Sequence, residues 1–562
     1  MFDGKAIMER HERMARGQLA ITQLRQEVAE LLLPRMAKFN QLGPFGSSGF
    51  GADGALQAAL TNAVFDEYGQ QKFEEGVSIV MGLSNPSGQI WQRWELGDSE
   101  LMKLDHVRLW VENKNRQLQK LRADPKAGFT TMLGNGWASL LGFAMQSCWI
   151  DIRRDIMRRP IGLSYQNEFI GGIFIEQSAE GVPVRTHNRF TLTARQAWDK
   201  WGEESPEAVR KQMGRKDGAG EAEPIEFIHA IYPNSEYDPE RIDHVGKPWR
   251  GCYLSVEDKQ VFKEGGYLAA PRIVSRWTDG LNGPYGHCPA FQVLPSVRQC
   301  QVMMVDLIET AEQKAGPTML AHDDMLDYQI RYAPREVIMG GLGNRYEERI
   351  KALFNPADNS EGWQLMELMH SFIDRAFFAH MLQINQDLKS HVTDAQIYER
   401  KADAGVLLTP LERQNSEWFS LSLDRELALM DELGLMDDEP GEVAEAREAG
   451  MGIEAIYDNG VTRSQGAAGV GALLDLERAF APTFENDPES YQVYKQYLPF
   501  EKRLKFMLDN TAVPASIQTT KAEREQLAKQ DEAANQQAQF LAAMPDLASA
   551  AKDLSAAVPA GV

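Results

Sequence analysis

The sequence predicts an α+β protein, mainly helical, from three observations. Long stretches near both ends of the chain place apolar residues every three or four positions, the period of one helix face. Between about residues 163 and 288 this gives way to short β-branched and aromatic runs broken by Gly and Pro, the pattern of strands. With 562 residues, 43% apolar and 25% charged, the chain has the composition of a folded protein of three or four units rather than a disordered or membrane one.

Residues 6–38 carry Leu19, Ile21, Leu24, Val28 and Leu31 to Leu33 at helical steps, and a Gly/Ser-rich stretch, 43–54, ends the run. A second helix is expected from Ala55 to Leu83, closed by the turn Ser84-Asn85-Pro86. Lys103 to Ala123 and Gly128 to Ile150 read as two more. Strands are expected at Ile173 to Glu176, Ile225 to Tyr232 and Tyr253 to Val256, with Gly265-Gly266 as a hairpin turn between Val261 to Lys263 and Tyr267 to Leu268. Within this block Thr193 and Gln196 have capping-box spacing, so a helix should run through Trp201.

After Pro289 the helical period returns. Val297, Cys300, Met304, Ile308, Ala311 and Ala315 mark one long helix, stopped by Gly316-Pro317. Met366, Met369, Ile373, Phe377, His380, Met381 and Ile384 mark a second, from about Trp363 to Gln386. The insert between them holds a strand-like Val337 to Met339, the glycines Gly340, Gly341 and Gly343, and Arg331, Arg335, Arg345 and Arg349. A short polar loop, Asp387 to His391, leads to a capping box at Thr393 and Gln396, and Thr409-Pro410 with Glu412 opens another helix. The Ala/Gln/Lys/Glu-rich tail from Thr519 is expected to be helical, and no period of solenoid length repeats.

Composition excludes several functions. A net charge of −22 argues against gripping nucleic acid by phosphate neutralisation, and fits either plain solubility or an acidic wall along which DNA slides. Cys148, Cys252, Cys288 and Cys300 lie far apart, so reduced buried thiols are expected rather than a zinc site or disulfides. The start of the chain has no export signal, and the most apolar window, Trp137 to Ile150, is too short to span a bilayer. Gly49, Gly51 and Gly54 match a dinucleotide fingerprint but follow no strand, which makes them a loop. His322, Asp323, Asp324 and Asp327 lack a calcium-loop pattern and read as a solvated turn, and His370 and His380 as packed or interface histidines. No catalytic residue, metal or cofactor is expected, and a DNA-processing enzyme would need clustered acids that the sequence does not offer.

The most specific stretch runs from Arg276-Trp277 through Gly283, Tyr285, Gly286 and Pro289 to Ala290, straight into the first long helix. Glycines open backbone angles closed to other residues and proline fixes the exit, so a sheet hands the chain to a helix at a set angle. This stretch resembles the signature of the bacteriophage portal, or head-to-tail connector, family of podovirus type. Phe65-Asp66 with Trp91 to Trp94, Phe190 to Gln196, Val392 to Gln396 with Glu399-Arg400, and Val513-Pro514 with Glu523-Arg524 are similar to other blocks of that family.

The resemblance implies a portal fold: a mixed α/β wing, a two-helix stem, a small clip and a helical crown. Its divisions would be wing 1–290, stem helix 291–316, clip 317–357, stem helix 358–386, tunnel loop 387–393, wing helices 394–436, crown 437–515 and a helical tail or barrel 516–562. It further implies a non-enzymatic dodecameric ring at one capsid vertex of the virion, assembled in the host cytoplasm without membrane contact. The ring would be the channel for packaging and ejecting double-stranded DNA. Its partners would be the large terminase, tail adaptor proteins and capsid or scaffolding proteins. Asp387, Lys389, Ser390 and His391 would face DNA, and Arg331, Arg335, Arg345 and Arg349 would meet terminase or adaptor. The alternative is another virion structural protein, a tail adaptor or an internal core protein.

Overall fold

Asp3 accepts a hydrogen bond from the Lys5 amide and so opens the first helix, α1 (Gly4–Leu31), satisfying one of its orphan N–H groups. The computed structural model describes residues 3–33, 64–86, 90–98, 100–215, 219–241, 243–278, 283–315, 319–321, 350–352, 360–379, 409–458 and scattered positions from 473 to 507. The chain forms two units, one from residues 1–91, 118–437 and 459–461, the other from 92–117, 438–458 and 462–562. Helix α2 (Tyr68–Ser84) stops where the Ser-Asn-Pro turn requires, with the Asn85 amide on the Met81 carbonyl and its side-chain oxygen accepting from Trp137 Nε1 at 2.7 Å. Strand β1 (Gln92–Leu96) follows, then α3 (Asp105–Ala123) and α4 (Phe129–Phe143).

The helix expected from Gly128 to Ile150 is half a helix. Ala144 adopts the left-handed conformation, φ 66°, and the chain continues as strand β2 (Met145–Arg154). The reason is burial: from Leu140 to Cys148 every residue is buried, so the apolar run carries no period that could separate a helix from a strand. Strand β3 (Pro160–Asn167) pairs antiparallel with β2, placing Tyr165 opposite Ile150.

Strands β4 (Ile173–Gln177) and β5 (Pro183–Thr193) open a five-stranded antiparallel sheet. Thr193 then forms the expected capping box: Gln196 N–H donates to its hydroxyl and its own N–H donates to the Gln196 side chain. This starts α5 (Ala194–Trp201), which is followed by α6 (Glu207–Met213). The sheet continues with β6 (Pro224–Pro233), β7 (Trp249–Ser255) and β8 (Gln260–Tyr267), in the order β4-β5-β6-β7-β8. Alternation along β6 covers both faces. Ile225 and Phe227 pack with Ala197, Trp201 and Val209, while Ile228, Ala230 and Tyr232 pack with Ile7 of α1.

Gly265 and Gly266 are not a hairpin turn. They lie inside β8, opposite Gly251 and Arg250, and the turn is Val256 to Lys259, with Lys259 at φ 54°. A Cβ on Gly266 would sit 2.7 Å from the His244 carbonyl, so this glycine marks a close backbone approach rather than a reversal. Strand β9 (Arg272–Arg276) then returns to β2 and completes a three-stranded sheet, β3-β2-β9.

The chain leaves β9 for α7 (Pro289–Ala315), which begins at a proline and stops before Gly316-Pro317 as expected. Short strands β10 (Met319–Ala321) and β11 (Ile350–Ala352) pair antiparallel between α7 and α8 (Ser360–Ala376), which bury Met303, Leu307 and Met366 against one another. Helix α8 was expected to run on to Gln386 and ends at Ala376. Phe378 at φ 61° takes the left-handed position, its amide bonding the Arg375 carbonyl and the Ala379 amide bonding that of Asp374, the Schellman pattern. The buried Phe377 and Ala379 hold that end in place. After Thr409-Pro410 come α9 (Thr409–Gln414), a π-helical turn (Asn415–Ser420) and α10 (Leu421–Glu432). In the smaller unit β1 pairs antiparallel with β12 (Ile453–Tyr457), and Trp94 packs edge-on to Trp110 at 5.8 Å.

Candidate functional site

The signature turn lies between the three-stranded sheet and the long helix pair, and Arg276 organises it. Its guanidinium donates to the Pro284 carbonyl inside the turn, to the Gly181 carbonyl and to Glu417 of the π-helical turn, at 3.4, 2.9 and 2.8 Å. The backbone is clamped as well, since Arg276 N–H donates to Glu417 Oε2 and Gln414 Nε2 donates to the Arg276 carbonyl. Arg413 donates to the same carboxylate at 2.7 Å. Burial pushes the Glu417 carboxyl up, but hydrogen bonds from Arg276 and Arg413 outweigh it and hold the pKa below the ordinary value.

Across the turn, the Thr278 hydroxyl donates to the His287 carbonyl and accepts from the His287 amide. A Cβ on Gly286 would lie 2.3 Å from the Thr278 carbonyl and 3.2 Å from that of Ala144, so no other residue fits. At Gly283 a Cβ would meet nothing within 4 Å, and no crowding explains that glycine. Tyr285 is buried beneath the Arg25 guanidinium, 5.4 Å from its ring centroid, and burial pushes its hydroxyl up to about 12. Pro289 is buried and starts α7. The described residues of the turn are thus tied both to the end of β9 and to the π-helical turn on the way to α7.

Gly283, Tyr285, Gly286 and Pro289 all lie among the described residues of this turn. Asp387, Lys389, Ser390 and His391, the arginines Arg331, Arg335, Arg345 and Arg349, the His322 to Asp327 turn and Gly49 to Gly54 lie outside the described residues. Sequence reasoning missed Gln414, Arg413 and Glu417. They follow the Thr409-Pro410 helix start at no recognisable spacing from Arg276, and only the fold joins them. It missed equally the buried ion pair of Arg122 with Glu426, whose carboxylate also accepts from the Tyr165 hydroxyl at 2.5 Å.

All four cysteines are buried and free of disulfides. Among the described residues one group, Asp66, Cys300 and His370, brings a ligand atom from each residue within 4.8 Å of the others. No helix among the described residues is long and apolar enough to cross a membrane.

Comparison with known proteins places this geometry in a family. The portal protein of Salmonella phage epsilon15 is 22% identical over 403 residues, 70% of this chain and 69% of that protein. The probable portal protein of Bordetella phage BPP-1 is 21% identical over 431 residues, 74% of this chain and 73% of that protein. A chain from the neck of an empty GTA particle, computed with C6 symmetry, aligns at a TM-score of 0.34 and 11% identity over 74% of this chain and 89% of its own. The family model for the bacteriophage head to tail connecting protein matches residues 4–492. Since that match takes in the signature turn and every element from α1 to β12, the chain belongs to the bacteriophage head to tail connecting proteins.

Proposed function

We propose that twelve copies of this chain form a portal ring at one vertex of the capsid, a non-enzymatic channel for double-stranded DNA on which terminase and tail proteins dock. One observation carries the ring. On α8 the buried Met366 packs against Met303 and Leu307 of α7, while Leu365, Leu368 and Phe372, three and seven residues apart on another face, are 43%, 47% and 40% exposed. A second apolar face on a helix already packed along its first is a surface for a neighbour. A second copy, repeated head to tail, closes it into a ring.

On this reading the stem divisions 291–316 and 358–386 contain most of α7 and the whole of α8, the segment between them is the clip (317–357), and 387–393 is the tunnel loop. The remaining divisions are wing 1–290 and 394–436, crown 437–515 and tail 516–562. Asp387, Lys389, Ser390 and His391 would meet DNA, one brief phosphate contact per basic side chain, in an otherwise acidic protein of net charge −22 that does not retain it. Arg331, Arg335, Arg345 and Arg349 would meet terminase or adaptor.

Electron microscopy and size-exclusion chromatography test this directly. Wild-type protein should give closed rings, and Leu368→Glu with Phe372→Glu should give folded monomers, with unchanged helical circular dichroism. Rings of normal size from the double variant would overturn the reading. Deleting Lys389 to His391 should leave rings intact and impair DNA packaging.

A further inference from the structure

We propose that Asp66, Cys300 and His370 form a binding site for a divalent transition metal of the zinc class, which pins the segment before α2 to both long helices. The three residues come from distant parts of the chain and are held before any ion arrives. The amides of Phe65 and Asp66 donate to Gln301 Oε1 at 2.8 and 3.0 Å, and Gln301 Nε2 donates back to the Asp66 carbonyl at 2.7 Å. Gln301 thus fixes Asp66 against α7 beside Cys300.

The Asp66 carboxylate is oriented too, because Oδ1 accepts the Tyr68 amide at 3.1 Å while Oδ2 lies 3.1 Å from His370 Nε2. The His370 ring stacks on Tyr68, centroids 3.9 Å apart and planes 11° apart, and the Tyr68 hydroxyl donates to Asp374 one turn further along α8. These supporting contacts fix ring and carboxylate orientation, as the outer shell of a metal site must.

The donor set names the ion. A thiol, an imidazole and a carboxylate suit zinc, cobalt or nickel, whereas magnesium and calcium take oxygen ligands alone. A tetrahedral ion with ligands at about 2.0–2.3 Å sets them roughly 3.3–3.8 Å apart. Ligand atoms already within 4.8 Å of one another reach that spacing by small side-chain rotations. The carboxylate and a thiolate together balance the charge of a divalent ion. Loading replaces the Cys300 S–H bond by S–metal and releases that proton to water. Three ligands leave one tetrahedral position for water, and His370, its side chain 22% exposed, gives solvent a way in.

The test uses full-length protein, stripped with a chelator under reducing conditions and titrated with cobalt(II). The expected result is a thiolate-to-cobalt charge-transfer absorption that saturates at one ion per chain and is displaced by zinc. Cys300→Ser should abolish it, His370→Gln should weaken binding by roughly ten-fold or more, and Cys148→Ser, buried elsewhere, should change nothing. Absence of the absorption from wild-type protein would overturn the proposal, whatever the variants do, and so would its persistence in Cys300→Ser. Neither outcome bears on ring formation, which is read separately.

Discussion

On the five-stranded sheet, Trp201 lies edge-on to Phe227 and to Phe262, each at 4.9 Å, with Ala194, Ala197 and Val209 beneath. Where β2, β9 and the segment from Leu411 to Met430 meet, apolar side chains such as Trp418, Leu429 and Met430 are buried as well, but they share the junction with buried Arg122, Arg276, Arg425 and Glu426 and the half-buried Glu417. Apolar contact is non-directional and spreads its stabilisation over many atoms. A buried guanidinium–carboxylate pair contributes little net stability, yet any arrangement other than the native one strands a charge. The apolar cluster therefore stabilises the sheet without fixing one arrangement, and the charged pairs at the junction dictate where the returning segment docks behind the signature turn.

The largest expected effect lies in the junction. Glu426→Leu takes the carboxylate away from the buried Arg122 guanidinium and should cost about 3–5 kcal/mol. Replacing Arg122→Met and Tyr165→Phe in the same chain should recover most of that loss. Trp201→Ala on the sheet should also cost about 3–5 kcal/mol, but through a cavity that no partner change repairs. Denaturant unfolding of the four proteins checks both. A triple variant no more stable than Glu426→Leu would show that the junction is held by packing, like the sheet.

Acid should probe the sheet next. Burial, with Arg189 nearby, lowers the His11 pKa from 6.5 to about 4, and burial drives His187 and His229 well below the ordinary value. The folded state keeps these rings neutral while the unfolded chain binds protons. Stability is therefore complete above about pH 6.5 and is lost progressively as pH falls toward 4. For His11 alone the loss is on the order of 2 kcal/mol at about pH 5. His11→Leu should flatten that part of the curve, measured as the denaturation midpoint at neutral and acid pH. An unchanged slope would mean that His11 already carries its proton when folded.

How much of this was legible follows the same division. Signals that act within a few residues were readable: the Thr193–Gln196 box, the Gly316-Pro317 stop, and the Ser84-Asn85-Pro86 turn after α2. Signals that depend on what packs nearby were not. Helices α8 and α10 end in the same hydrogen-bond pattern, but Gly434 announces the left-handed position and Phe378 does not. At the candidate site, Arg276 and Gly286 were visible through resemblance. Glu417, which explains Arg276, was invisible because nothing local requires a carboxylate there.

The smallest effect belongs to Arg298 and Glu27, which isolate the variable behind the opening contrast. Arg298 Nε faces Glu27 Oε1 and its NH2 group faces Oε2, the same fork that Arg122 makes to Glu426. Only the surroundings differ: side-chain exposure is 50% and 31% for the first pair, against 3% and 0% for the second. Water screens the exposed fork and hydrates either charge left alone. Arg298→Ala should therefore cost less than about 1 kcal/mol, and less still in high salt. A loss as large as that of Glu426→Leu would mean that fork geometry, and not burial, sets the strength of these pairs, and the distinction between junction and surface would fall.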